Sequence, residues 1–328
     1  MNSSASLPRA TGTAILRKAP HVAVVIPCYN EALTIAQLVK DFNRCLPEAQ
    51  VYVFDNNSTD NTVEIARGAG ATVRRVTMQG KGSVVRRMFA DIEADAYIMV
   101  DGDGTYDTMA APRLVEKLLD EGLDMVVGSR VSTEQSAYRF GHRFGNSMLT
   151  GFLSLIFGRT FTDILSGYRV FSRRYVKSFA AHSTGFEIET ELTVHALELR
   201  MPVAEVETVY GARPAGSVSK LNTYRDGLRI LLTILRLFKS EKPLGFYSIA
   251  FFLCALVSVQ MAIPIFVTFA ETGLVPRLPT ALLCTALMLL GVIFLTCGII
   301  LDAVTKSRIE QKRFRYLGVA AFHPGRDD

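Results

Sequence analysis

Tyr97-Ile98-Met99-Val100-Asp101-Gly102-Asp103-Gly104-Thr105-Tyr106-Asp107 decides how this chain folds. A short apolar run ends abruptly in two carboxylates, each followed by a glycine. The run reads as a buried strand, and the glycines allow a tight turn at its end. Open α/β sheets bind ligands just beyond the carboxyl ends of their strands. Two carboxylates one residue apart at such an edge repel each other unless a cation sits beside them. A hard divalent ion such as Mg²⁺ or Mn²⁺ takes one or two carboxylates and completes its shell with phosphate oxygens and water. The stretch therefore predicts a metal–diphosphate site on Asp101 and Asp103. The competing reading is an Asp-Gly turn that is merely solvated.

Upstream, the apolar run His21–Ile26 reads as a buried parallel strand, broken by Pro27-Cys28-Tyr29-Asn30-Glu31. Ile35, Leu38, Val39 and Phe42 then recur at helical spacing. A second strand, Val51–Phe54, ends in Asp55-Asn56-Asn57-Ser58-Thr59-Asp60 and leads into a helix over Asn61–Gly68. A third strand is expected near Thr72–Val76, and Gln79-Gly80-Lys81-Gly82-Ser83 opens the next helix. After the acidic turn come a helix over Met109–Glu121 and a strand at Asp124–Val127. This alternation predicts a parallel, doubly wound sheet. Pro27, Asp55 and Asp101 all fall at carboxyl ends of strands and should meet on one edge. Arg75 stands where a P-loop needs its first glycine, and Gly68-Ala69-Gly70 lacks the third glycine of a dinucleotide fingerprint.

Beyond Gly128 lie polar clusters at Asp163–Arg169 and Gly185–Glu189, a helix through Glu191–Leu199 and a strand near Val203–Val209. Gly211–Lys220 is a basic loop of a type suited to gripping phosphates. Tyr224–Lys239 is amphipathic, as expected of a helix lying in a bilayer interface or packed on its own domain.

The averages of 49% hydrophobic and 20% charged residues hide a split. Residues 244–301 carry only Glu271 and Arg277 as charges. Its two uncharged runs, 244–270 and 278–301, each exceed the roughly 20 residues that cross a hydrocarbon core. They predict a two-span hairpin, kinked at Pro264. Basic residues crowd its outer flanks, so the positive-inside rule places the α/β domain and both termini in the cytoplasm, on the inner membrane. A net charge of +5 without an aromatic-basic signature argues against nucleic acid as a partner. The five cysteines show no disulfide or metal spacing. The organisation expected is a mobile arm (1–20), an α/β domain (21–223), an amphipathic helix (224–243), the hairpin (244–303) and a basic tail (304–328).

Taken in order, Val24-Val-Ile-Pro27-Cys-Tyr29-Asn-Glu31, Asp55–Asp60, Gly80-Lys81-Gly82, Asp101-Gly-Asp103, Gly128-Ser-Arg130, Ser166-Gly-Tyr-Arg169 and Arg213…Gly216…Ser219-Lys220 resemble glycosyltransferase family 2. Within it, the chain is similar to polyprenyl-phosphate glycosyltransferases, over residues 22 to about 225. The resemblance implies a GT-A fold (Rossmann-like, mostly parallel), a nucleotide-sugar donor and a polyprenyl phosphate acceptor. It implies that Pro27, Tyr29, Glu31 and Asp55 hold the nucleotide, with Lys81 also on the donor side. Asp101 and Asp103 would hold metal and diphosphate, and Arg213 and Lys220 would lie over the donor phosphates. Arg130, Arg143 and Ser147 would meet the acceptor phosphate. Where some relatives carry Gln two positions after the second Asp, this chain has Thr105, so the implied metal ligands stop at the aspartates. Two alternatives stay open: a processive polysaccharide synthase, whose Gln-x-x-Arg-Trp motif is missing from a chain without tryptophan, and a non-catalytic sugar-nucleotide-binding scaffold. Self-association is also left open.

Overall fold

The computed structural model describes residues 19–132, 148, 150–155, 161–180, 185, 187–211, 232, 233 and 235–322. One sheet contains β1 (Val22–Cys28), β2 (Gln50–Asp55), β3 (Thr72–Arg75), β4 (Ala96–Met99), β5 (Met125–Ser132), β6 (Arg169–Ser172) and β7 (Val203–Tyr210). Their order is β3-β2-β1-β4-β6-β5-β7. Pairing is parallel from β3 through β4 and again between β5 and β7, while β6 runs against both its neighbours. The sheet is thus mostly parallel, with one reversed strand wedged between β4 and β5. The local pattern does not announce β6, which is four residues long and starts on an arginine.

Successive strand residues are apolar because helices cover both faces. Val24, Ile26 and Cys28 face a layer formed by α1 (Ile35–Cys45), α2 (Thr62–Gly68) and α4 (Ala111–Asp120). The helical spacing of Ile35, Leu38, Val39 and Phe42 is the buried stripe of α1, each side chain contributing about 1.5–3 kcal/mol by leaving water. Ala23 and Val25 face the other layer, formed by α3 (Lys81–Asp91), α5 (Arg173–Ser178) and α6 (Ile188–Leu199). Side-chain caps set two of the entries. Asp107 accepts from Met109 N at 2.9 Å ahead of α4, and Ser172 accepts from Tyr175 N at 3.1 Å at the start of α5.

Two long helices follow, α7 (Pro243–Thr272) and α8 (Leu278–Leu317), of 30 and 40 residues. Both are long and apolar enough to cross a membrane. α7 is helical on both sides of Pro264. The apolar run predicts a span ending near Leu301, but α8 continues through its charged residues to Leu317. The helices meet along Cys284, Gly291 and Gly298, the buried positions of α8, which recur at coiled-coil spacing. A Cβ on Gly298 would lie 3.0 Å from the Tyr247 Cβ, so a small residue is what lets the backbones approach. Ser258 Oγ donates to the Cys284 carbonyl at 2.8 Å across the same seam. Of the amphipathic segment Tyr224–Lys239, residues 232–233 and 235–239 are described and helical. Residues 1–18 and 323–328 lie outside the described residues.

Candidate active site

Register brings the strand ends together. Cys28 pairs with Asp55 across β1 and β2, and Val25 pairs with Met99 across β1 and β4. Pro27, Asp55 and Asp101 therefore share one edge of the sheet, as their positions predict. Asp55 is buried, and its carboxylate accepts from Ser58 N at 3.2 Å. Asn56 ties this turn to the loop before α3: its amide donates to the Val76 and Met78 carbonyls at 3.0 and 2.8 Å, and its oxygen accepts from Gly80 N at 2.7 Å. Opposite, Asn30 adopts φ 55° and accepts from Thr59 N at 2.8 Å, while Glu31 N donates to Thr62 Oγ1 at 2.9 Å. The turn carrying Tyr29 and Glu31 is thereby fastened to the turn carrying Asp55, with Tyr29 exposed at the rim.

Lys81 opens α3 and donates to Asp101 Oδ1 at 2.5 Å and to Glu189 Oε1 on α6. Burial alone would push the Lys81 ammonium down, but Asp101 and Glu189 hold it above its ordinary range. Burial pushes the Glu189 carboxyl up against the pull of Lys81. Glu189 Oε2 is buried with no hydrogen-bond partner. Asp103 is also buried, and its Oδ1 accepts from Thr105 Oγ1 at 2.6 Å and Thr105 N at 3.2 Å. Thr105 therefore orients the second aspartate.

Gly167 lies against the Asp101 carboxylate: a Cβ there would stand 2.7 Å from Asp101 Cγ. Gly167 N donates to Tyr106 OH at 2.8 Å. Burial holds the Tyr106 phenol far above its ordinary range, so it stays protonated. Its ring packs on Tyr168 and Tyr210 at 5.5 and 5.2 Å, and Arg130 lies 5.4 Å over the Tyr210 ring. An aromatic ledge thus joins the acidic turn to Arg130. The Arg130 guanidinium is held bidentately by Asp163, at 2.6 Å from Nε and 2.8 Å from Nη2.

The structure brings Pro27, Tyr29, Glu31, Asp55, Lys81, Asp101 and Asp103 to one edge, with Arg130 at the end of the ledge. Arg143, Ser147, Arg213 and Lys220 lie outside the described residues. Glu189, Tyr106, Gly167 and Asp163 carry no role in the sequence reading, because each acts through a partner far away in the chain. Lys81 and Glu189, for instance, are 108 positions apart. Arg169, which belongs to the Ser166–Arg169 motif, is fully buried and braces the loop, donating to the Ser166 and Ile164 carbonyls at 2.9 and 2.6 Å. Among the described residues, no three His, Cys, Asp or Glu side chains cluster as metal ligands. Two aspartates with an unpartnered carboxylate oxygen nearby fit a hard cation that finishes its shell on a diphosphate and needs no third protein ligand.

The family model described as Glycosyl transferase family 2 matches residues 23–179. Glycosyltransferase AglJ of Haloferax volcanii is 34% identical over 294 residues, 89% of this chain and 96% of the relative. The dolichyl-phosphate hexose transferase of the same organism is 28% identical over 222 residues, 67% of this chain and 95% of the relative. Glucosyl-3-phosphoglycerate synthase from Mycobacterium tuberculosis, solved in complex with Mn²⁺ and uridine-diphosphate-glucose, matches with a TM-score of 0.52 at 23% identity, over 67% of this chain and 78% of that one. This likeness establishes the fold as GT-A.

Proposed function

The chain belongs to glycosyltransferase family 2, and on that premise we propose that it moves one hexosyl group from a UDP- or GDP-hexose to a polyprenyl phosphate in a membrane. The observation that carries this reading is one chain joining the Asp101–Lys81–Glu189 cluster at a strand edge to two helices long enough to cross a bilayer. The relative named as a dolichyl-phosphate hexose transferase supports a lipid phosphate acceptor, and the Mn²⁺ and UDP-glucose of the structural neighbour support the donor side. By the flanking charge, the protein is a multi-pass protein of the inner membrane, with its α/β domain and both termini in the cytoplasm.

In this reading Pro27, Tyr29, Glu31 and Asp55 hold the nucleotide, while Asp101 and Asp103 would hold Mg²⁺ or Mn²⁺ with the diphosphate. Arg213 and Lys220 cover the donor phosphates. Arg130, Arg143 and Ser147 receive the acceptor phosphate, with Asp163 presenting Arg130 in a fixed orientation. A phosphate monoester has its second pKa near ~6 and is largely a dianion at neutral pH. It attacks the anomeric carbon without a strong general base. The new carbon–oxygen bond forms as the bond to the nucleoside diphosphate breaks, and the configuration inverts. A bound cation supplies charge stabilisation to the departing diphosphate. What the chain contributes is alignment of the two substrates, which is worth several kcal/mol in oriented reactions (about 7–11 at best).

The test is a screen of radiolabelled UDP- and GDP-hexoses against membranes containing the protein and short polyprenyl phosphates. Label entering the lipid phase from one donor supports the proposal. Nucleotide-sugar binding without transfer to any lipid phosphate would favour the scaffold reading instead.

A further inference from the structure

The second membrane helix does not end at the membrane. α8 is uncharged from Leu278 to Leu301 and charged from Asp302 to Arg315. At ~1.5 Å per residue, the part beyond Leu301 extends about 24 Å. This extension is seated on the α/β domain. Lys312 Nζ donates to Glu198 Oε2 at 2.6 Å, and Arg308 Nη2 lies 3.6 Å from Glu198 Oε1 and 3.1 Å from Glu241 Oε1. One turn further on, Tyr316 OH donates to Asp124 Oδ2 at 2.7 Å. Arg174 lies 4.9 Å over the Tyr316 ring and 3.3 Å from the other Asp124 oxygen. The side chains of Glu198 and Asp124 are 1% and 0% exposed.

Glu241 stands two residues before α7 and shares Arg308 with Glu198, so both legs of the hairpin meet at this cluster. The legs are also tied to each other where Thr305 Oγ1 donates to the Ser240 carbonyl at 3.3 Å. A covalent link alone would keep the domain at the bilayer. Two desolvated carboxylates gripped by one helix do something else, because buried ion pairs are costly and act through defined geometry.

Glu198 stands near the end of α6, and Glu189, nine residues earlier, stands in the candidate active site. That separation is about 14 Å along the helix axis. Between them α6 is braced by Arg169 on Thr193 at 2.9 Å, by Tyr175 OH on the Leu192 carbonyl at 2.6 Å and by Ser178 against His195 at 3.1 Å. A single packed helix therefore carries the Lys81 partner at one end and the anchor to the membrane helix at the other. Close-packed interiors move as units, so fixing one end fixes the other.

We propose that Glu198, Lys312, Arg308 and Tyr316 form a clamp that makes the hairpin a rigid strut and sets the height and tilt of the Asp101 edge over the bilayer. They are positioning residues for a membrane-confined acceptor, and this consequence for turnover rests on the lipid-phosphate reading above. The chain contains no tryptophan, so Met109→Trp, at an exposed site, makes a reporter for energy transfer to dansyl-labelled lipid in nanodiscs. In the full-length reporter protein, the donor–acceptor distance distribution is narrow. Adding Lys312→Met with Arg308→Met broadens it. The double variant also loses about fivefold or more in the ratio of kcat/KM for a long-chain polyprenyl phosphate to that for a short soluble analogue, while nucleotide-sugar Kd stays within about twofold. Tyr316→Phe, which removes one hydroxyl, moves both readouts the same way to a smaller extent and serves if the double variant does not fold. An unbroadened distribution, or an unchanged acceptor ratio, overturns the clamp. If the parent protein transfers to neither acceptor, the lipid-phosphate reading fails, and the fluorescence distribution alone decides whether the strut exists.

Discussion

Gly167→Ala isolates the acidic turn with a single methyl group. The added Cβ would overlap Asp101 Oδ2 and stand 2.7 Å from Cγ, where ordinary contacts begin at 3.4 Å, so the carboxylate must retreat by about 1 Å. Gly167 is not among the glycines with positive φ, so alanine fits the backbone. The Asp101 side chain is 29% exposed and can swing outward, so folding loses little. What it leaves is the 2.5 Å contact with Lys81 and its alignment with Asp103. A charge-assisted hydrogen bond contributes about 1.5–3 kcal/mol, which corresponds to about 10- to 150-fold in kcat/KM. Steady-state transfer kinetics with varied nucleotide sugar, alongside a thermal melt, make the assay. The expected result is a Tm close to wild type with kcat/KM for the donor reduced in that range. A folded Gly167→Ala enzyme with unchanged kcat/KM would refute the placement of Asp101 in the reaction.

Three further outcomes are expected. Asp103→Asn abolishes turnover, and EDTA silences the wild type until Mg²⁺ or Mn²⁺ is restored; full activity in EDTA would sink the metal role. Arg130→Lys keeps the charge but loses the bidentate grip of Asp163, so KM for the lipid phosphate rises about tenfold, as expected from one charge-assisted contact, while donor Kd is unchanged. Equal lipid KM values would remove Arg130 from the acceptor site. Burial, aided by Lys312 and opposed by Glu198, pushes His195 from 6.5 down to about 3. The folded protein then binds fewer protons than the unfolded chain between those values. Stability attributable to His195 is complete above pH 6.5 and falls on acidification towards pH 3 by up to ~1.4 kcal/mol per pH unit. Melts of wild type and His195→Gln across that range should diverge in slope, and parallel slopes would contradict the assignment.

Much of this architecture is legible in the chain because its signals are local. The runs at Val22–Cys28, Val51–Phe54 and Ala96–Met99 are apolar at every step, as strands covered on both faces must be, and Asp55 and Asp101 just beyond the second and third mark the binding edge. The two long apolar helices are legible for the same reason. What escaped is set by tertiary partners. β6 begins on Arg169, whose charge is absorbed by carbonyls and by Thr193 rather than by solvent. Glu189 reads as part of a polar cluster because Lys81 is 108 positions away. Residues 304–317 read as part of the basic tail (304–328) because their charged side chains and the Tyr316 hydroxyl meet the carboxylates of Glu198, Glu241 and Asp124, leaving no hydrophobic period to count. Resemblance implies donor-side and acceptor-side places for Lys81 and Arg130, but it does not name their partners Glu189 and Asp163.

If the enzyme places one hexose on one lipid phosphate with inversion at the anomeric carbon, the structure of its product carries both facts. Purified protein would be incubated with the donor found by the screen and a short polyprenyl phosphate, and the lipid product analysed by mass spectrometry and by ³¹P and ¹H NMR. The expected product is a polyprenyl phosphodiester carrying a single hexose, with anomeric configuration opposite to the donor's and one nucleoside diphosphate released per product. A lipid bearing a growing chain of sugars, retention of configuration, or release of free hexose with the lipid phosphate untouched would contradict it.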